Sequence, residues 1–82
     1  MNFVFSKHAL EQMELRNISK SIVEEILESP DQIKAEEGKM VYQSVVEKGR
    51  YLIRIFVNDE NPKTVITVYK TSKISKYYES KI

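Results

Sequence analysis

Hydrophobic residues change their spacing once along this 82-residue chain, and that change constrains the fold more than any other feature. Before Pro30 they recur every three to four residues, as on one face of a helix, whereas from Met40 onward they alternate as in a half-buried strand. Helices followed by strands are typical of an α+β domain. We therefore expect residues 1–82 to form one domain, with helices on one face of an antiparallel sheet.

Two helix-start signals predict a helical hairpin over residues 7–28. Ser6 and Ser19 each precede an amphipathic segment, and a serine hydroxyl at this position accepts a hydrogen bond from a free N–H of the first turn. Asn17 suits a left-handed helix end between the two segments, and Pro30 stops the second one. The predicted helices span residues 7–16 and 20–28.

The alternating region, residues 33–69, predicts a sheet of three or four antiparallel strands. Three strands are expected at 40–47, 51–57 and 64–69, with a further one at 33–36 and a short extended segment at 2–5. A two-residue turn at Lys48-Gly49 would place Gln43 opposite Arg54. Across the following loop, Arg54 would face Thr67, and Ile55 would face Ile66.

This register assigns the two faces of the sheet, because side chains alternate along a strand. The core face is expected to carry Met40, Tyr42, Ile53, Ile55, Val57, Ile66 and Val68. The second face is expected to carry Gln43, Glu47, Arg50, Leu52, Arg54, Phe56, Thr67 and Tyr69.

Arg54 stands out because it lies in the middle of a central, otherwise apolar strand. In one interpretation it forms a cross-strand pair with Gln43 and lays its aliphatic stem over Leu52 and Phe56. In the other, its planar guanidinium binds a phosphate or a carboxylate at two points. Arg50 is expected to pair with Glu47 at the end of the hairpin.

His8 is the only histidine and falls in the first turn of the first helix. The partial positive charge at a helix start favours the neutral imidazole, which is able to act as a base or to hydrogen-bond a neighbouring strand. Arg16 lies eight residues later, too far along the helix for direct contact, and is expected to cap carbonyls at the helix end.

Charge is unevenly distributed although the net charge is only +1. Residues 1–38 carry four bases and eight acids, whereas residues 63–82 carry five lysines and one glutamate. The basic C-terminal tail, 70–82, interleaves lysines with tyrosines, which suits either an exposed terminus or contacts to nucleic-acid phosphates and bases. The candidates for such contacts are Lys70, Lys73, Lys76, Arg50 and Tyr77.

Composition also argues against several classes of protein. The chain has no cysteine and one histidine, so we expect neither a disulfide framework nor a thiolate or histidine-rich metal site, and we predict no cofactor. No apolar run reaches the length of a membrane span and no signal-peptide pattern is present, which predicts a cytoplasmic protein without a membrane partner.

Several motifs resemble a family of small prokaryotic proteins catalogued as a domain of unknown function. The first is the N-terminal pattern His8-Ala9, Met13, Arg16 and Ile18, in which Asn17 replaces the usual glycine. It is followed by Ser29-Pro30-Asp31, Tyr51-x-Ile53-Arg54 and Val65-x-Thr67-x-Tyr69. Through that family the chain looks like a distant relative of the BrnT and RelE/ParE toxins of toxin–antitoxin systems.

The resemblance implies a RelE/ParE-like fold and a toxin that cleaves RNA without a metal, including mRNA on the ribosome. Arg54 would stabilise charge on the phosphorane, and Tyr69 or His8 would transfer a proton. The implied partners are RNA and a cognate antitoxin.

Two other functions remain open, because a fold alone does not determine function. One is a non-catalytic interaction module, such as a ParE-like inhibitor or an antitoxin-bound protein, which an exposed apolar strip of Leu52, Phe56 and Val65 would favour. The other is a nucleic-acid-binding accessory protein that uses the lysine tail.

Overall fold

The computed structural model describes residues 3–60 and 62–78 and confirms an α+β architecture. Its sheet has five strands in the order β1-β5-β4-β3-β2. The strands are β1 (Phe3–Phe5), β2 (Gln32–Glu36), β3 (Lys39–Val46), β4 (Tyr51–Asn58) and β5 (Lys63–Thr71). The helices are α1 (Lys7–Leu15), α2 (Lys20–Glu28) and α3 (Ile74–Tyr77).

The prediction of a purely antiparallel sheet with three or four strands was wrong. β1 pairs with β5 in parallel, so the sheet is mixed, and both β1 and β2 join it as edge strands. The chain leaves β1 through α1 and returns through the whole β2–β5 meander, and this long connection allows the parallel pairing. Three residues give too short a pattern for the sequence to specify this partner.

The predicted helix caps are present. Ser6 Oγ accepts from the Ala9 N–H at 3.0 Å, and Ser19 Oγ accepts from the Ile22 N–H at 3.2 Å. Asn17 has φ of 56°, the left-handed conformation that an asparagine tolerates better than most residues. These features end α1 and start α2 within a few residues.

The β3–β4 register agrees with the prediction, although the turn is longer. Gln43 pairs with Arg54, and the last pair is Val46 with Tyr51, which leaves a four-residue loop rather than two residues. Three successive loop residues have positive φ, namely Glu47, Lys48 and Gly49.

The predicted β4–β5 register was wrong by two residues. Ile55 pairs with Val68 and Arg54 with Tyr69. Beside the loop, Val57 faces Val65, one residue beyond the partner that the predicted register implies, and a β-bulge that leaves Ile66 as the extra residue adds the second residue of the shift.

The bulge moves Val65 to the core face in place of Ile66. Both helices contribute side chains to the same core cluster as this face of the sheet: Ala9, Met13, Ile18, Val23, Ile26 and Leu27 join Ile53, Ile55, Val57, Val65 and Val68. The second face is not an open apolar strip, because Leu52 and Val65 are both 0% exposed. We therefore reject the exposed strip as an argument for an interaction module.

α1 also covers part of an open strand edge. β1 pairs with β5 only as far as Val65, so the backbone of Val68 has no strand neighbour on that side. Gln12 Oε1 accepts from the Val68 N–H, and Arg16 Nη1 donates to the Val68 carbonyl, both at 3.4 Å. Arg16 thus satisfies the backbone of the sheet rather than the end of its own helix.

Candidate functional site

Three neighbouring strands bring Gln43, Arg54 and Tyr69 into one row across the second face of the sheet. Gln43 on β3 and Tyr69 on β5 are the direct partners of Arg54 on β4. Because cross-strand partners project from the same face, the three polar side chains meet on the face opposite the main core cluster.

The Arg54 guanidinium is 2% exposed and donates to three side chains. Nε donates to Gln43 Oε1 and Nη1 to Tyr69 Oη, both at 2.8 Å, while Nη2 forms an ion pair with Glu36 Oε2. Burial lowers the pKa of Arg54, but the hydrogen bonds to Tyr69 and Glu36 raise it, and the net direction is upward. Arg54 therefore stays charged.

Aromatic rings complete the enclosure. The Arg54 Cζ lies 5.3 Å from the ring centroid of Phe56, 5.8 Å from that of Tyr69 and 4.3 Å from that of Tyr77. Phe56 and Tyr69 are stacked at 6.0 Å, and Tyr77 approaches Tyr69 edge-on at 6.5 Å. All three rings lie within cation–π distance of the guanidinium.

The ring of Tyr77 comes from the segment after β5, which folds back over the second face of the sheet. The Tyr77 carbonyl accepts from Gln43 Nε2 at 3.0 Å and from Lys34 Nζ at 3.1 Å. We call residues 72–78 the C-terminal cover. This segment covers Arg54, on a face of the sheet that the sequence analysis predicted to be open.

A groove of about 270 Å³ opens on the same face of the sheet. It is lined by Glu36, Glu37, Lys39, Phe56, Thr67 and Tyr69. Tyr69 and Glu36 therefore connect the buried guanidinium to a surface that a ligand is able to reach. Tyr69 Oη accepts from Arg54, which leaves its own hydrogen available to a ligand.

The other predicted site residues lie elsewhere. His8 is exposed on α1, whose buried residues pack against the opposite face of the sheet. Lys70 is paired across the strands with Ile53, so it also lies on the helix side, where its Nζ is 3.0 Å from Glu47 Oε2. Glu47 thus pairs with Lys70 instead of the predicted Arg50.

Arg50 is exposed in the β3–β4 loop, and Lys73 and Lys76 are exposed on the C-terminal cover. Of the predicted candidates, the structure brings together only Arg54, Tyr69 and Tyr77.

Glu36 and Lys34 are the residues that the sequence analysis missed. The β2–β3 register places Lys34 opposite Val41 and Glu36 opposite Lys39, so both belong to the face of Arg54. Their alternation with Ile33 and Ala35 was the available signal, but the pattern did not indicate which strand β2 would pair with.

Within residues 3–60 and 62–78, no group of three or more His, Asp or Glu side chains is placed to hold a metal ion. In the same ranges, no helix is long and apolar enough to span a membrane.

Comparison with known proteins gives one match. No curated protein and no solved structure matches the chain. The family model described as Domain of unknown function (DUF4258) matches residues 5–70, which include α1, the whole β2–β4 region and both Arg54 and Tyr69. Because this match covers well over half of the sequence, the chain belongs to the DUF4258 family.

Proposed function

We propose that the protein is the toxin of a type II toxin–antitoxin system and that it cleaves RNA at the cluster around Arg54. The observation that carries the proposal is the hydrogen-bonded group Glu36–Arg54–Tyr69 at the wall of an accessible groove. The resemblance of the amino-acid sequence to the toxin families supplies the biological setting.

The three side chains match the chemical needs of RNA transesterification. The RNA 2′-oxygen attacks the adjacent phosphorus as its proton passes to the Glu36 carboxylate. The P–O5′ bond breaks, and the Tyr69 hydroxyl gives a proton to the departing 5′-oxygen. Arg54 stabilises the negative charge on the phosphorane, and the products are a 2′,3′-cyclic phosphate and a 5′-hydroxyl.

Arg54 is enclosed in this structure, so direct contact between its guanidinium and a phosphate requires the C-terminal cover to move. Tyr69 and Glu36 already line the groove. In this proposal RNA enters through the groove and engages Arg54 once Tyr77 has left the guanidinium.

The test is cleavage of a labelled single-stranded RNA in the presence of a chelator. Tyr69→Phe removes one oxygen and keeps the ring, so we expect at least a hundredfold loss of cleavage, within the usual range for general acid catalysis. Tyr51→Phe is the matched control, because Tyr51 is another partly buried strand tyrosine, beside Lys70 rather than Arg54. Absence of cleavage by the wild type, or equal cleavage by both variants, rejects the ribonuclease.

The toxin assignment has its own test. Expression of the protein is expected to arrest growth, and co-expression of an adjacent antitoxin gene is expected to restore it. Normal growth on expression contradicts a toxin even when cleavage occurs in vitro.

A second candidate is a non-catalytic interaction module, which the near-complete enclosure of Arg54 favours. A guanidinium that is 2% exposed and held by three side chains is a common way to stabilise the packing of a sheet. In that case growth arrest persists in Tyr69→Phe, RNA remains intact, and a target or antitoxin co-purifies with the protein.

A further inference from the structure

Two side-chain donors converge on one oxygen beneath the C-terminal cover. Gln43 Nε2 and Lys34 Nζ donate to the Tyr77 carbonyl from 3.0 and 3.1 Å, respectively. Gln43 is itself 0% exposed; its Oε1 accepts from Arg54, and its Nε2 donates to Gln32 Oε1 at 2.8 Å as well as to the Tyr77 carbonyl. Lys34 and Gln43 thus direct donors at the volume that Tyr77 fills, and Arg54 borders that volume beneath the Tyr77 ring.

The cover itself is weakly attached. α3 has four residues, none of them buried, and its N-cap residue Lys73 makes no side-chain capping bond. Tyr77 contacts this face with its ring, which lies over Arg54 and edge-on to Tyr69, and with its carbonyl, which accepts from Lys34 and Gln43. Segments with few buried contacts open locally at low free-energy cost.

Two cationic side chains lie beneath the cover, since Lys34 Nζ donates to the Tyr77 carbonyl and the Tyr77 ring lies over Arg54. The bond from Gln43 to the Tyr77 carbonyl joins two neutral groups, and a phosphate oxygen would make it charge-assisted and roughly twice as strong. For the Lys34 ammonium, a phosphate would replace a neutral acceptor by an opposite charge, so a phosphate is the better acceptor for both donors.

We infer that Lys34, Gln43 and Arg54 form an oxyanion site for a phosphodiester and that the chain's own Tyr77 occupies it in the resting state. The inference rests on the proposed function, since it names the contact that holds the scissile phosphate. It adds that the Tyr77 carbonyl stands where a phosphate oxygen binds and that the C-terminal cover competes with the ligand.

The probe is inorganic phosphate, titrated into the full-length ¹⁵N-labelled protein at constant ionic strength. Opening the cover raises the fraction of binding-competent molecules, and the apparent affinity rises by the same factor. In Tyr77→Ala, which keeps the charge of the chain, we expect the side-chain N–H signals of Gln43 and Arg54 to shift at tenfold or more lower phosphate than in the wild type. Tyr78→Ala, a change at the adjacent position, is expected to behave as the wild type.

A second variant tests the site without disturbing the cover's aromatic contacts. Lys34→Gln is expected to weaken phosphate binding at least fivefold in the wild-type background, whereas Lys63→Gln, which removes an exposed lysine from the start of β5, is expected to leave it unchanged. The inference is overturned if the wild type and Tyr77→Ala reach half-saturation at the same phosphate concentration, or if only the signals of exposed lysines shift. It is also overturned if Lys34→Gln and Lys63→Gln bind phosphate equally well.

The experiment separates this inference from the proposed function. Phosphate binding at Gln43 and Arg54 without RNA cleavage retains the oxyanion site and rejects the ribonuclease. RNA cleavage without these shifts rejects the oxyanion site and retains the ribonuclease.

Discussion

The ring of Tyr77 lies over the guanidinium of Arg54, with 4.3 Å between the ring centroid and Cζ. This contact joins the C-terminal cover to the centre of the sheet. It also makes the most chemically distinctive side chain of the protein a buried one. The accessible parts of the site are therefore the groups around Arg54, above all Tyr69 and Glu36.

Arg54 is expected to be important for stability whatever the function. Arg54→Ala leaves the buried Gln43 amide oxygen without its donor and removes the partner of Glu36. We expect the free energy of unfolding in urea to fall by about 2–3 kcal/mol, below the usual range for a broken buried pair because Glu36 is partly exposed. Arg50→Ala, in the exposed loop, should change it by no more than about 0.5 kcal/mol. A similar decrease in the free energy of unfolding for Arg54→Ala and Arg50→Ala would show that the buried hydrogen bonds of Arg54 contribute little to stability.

The contacts of α1 with the open edge of β5 predict a local effect on hydrogen exchange. Gln12→Ala removes the acceptor of the Val68 N–H, so the hydrogen of that amide should exchange with solvent about tenfold faster. The free energy of unfolding should fall by about 0.5–1 kcal/mol. Arg16→Ala should increase the exchange rate of the same amide less, because Arg16 donates to the Val68 carbonyl and not to its N–H. Glu11→Ala, on an exposed position of the same helix, is the control. Unchanged protection of Val68 in Gln12→Ala would contradict this role.

The two helix caps are predicted to differ in strength. Ser19→Ala should lower the free energy of unfolding by about 1 kcal/mol, as expected for loss of an N-cap. Ser6→Ala should cost more, because Ser6 Oγ also donates to the Ile66 carbonyl at 3.3 Å, beside the bulge. Ser21→Ala, exposed within α2, should be neutral or slightly stabilising in the same denaturation experiment. Equal costs at Ser6 and Ser19 would mean that the bond to Ile66 adds nothing.

His8 is predicted to be dispensable for the proposed cleavage. It is exposed on α1, and α1 packs against the face of the sheet that is opposite Arg54. His8→Gln should therefore retain wild-type cleavage of the labelled single-stranded RNA. A large loss of cleavage in this variant would place the chemistry on the helix side.

The sequence by itself determined the local structure of the protein. Serine caps, a left-handed asparagine and a proline stop act within a few residues, so α1 and α2 could be predicted with their ends. The short connection between β3 and β4 likewise determined the pairing of Gln43 with Arg54.

Only the tertiary structure decided what surrounds Arg54. The pairing of Tyr69 with Arg54 and the position of Val65 both depend on the β4–β5 register beside the loop and on a bulge, neither of which changes the local pattern. Glu36, Lys34 and Tyr77 reach the cluster from an edge strand and from the C-terminal cover. Such contacts depend on the packing of distant segments, and for this reason the sequence identified Arg54 but left it on an open face.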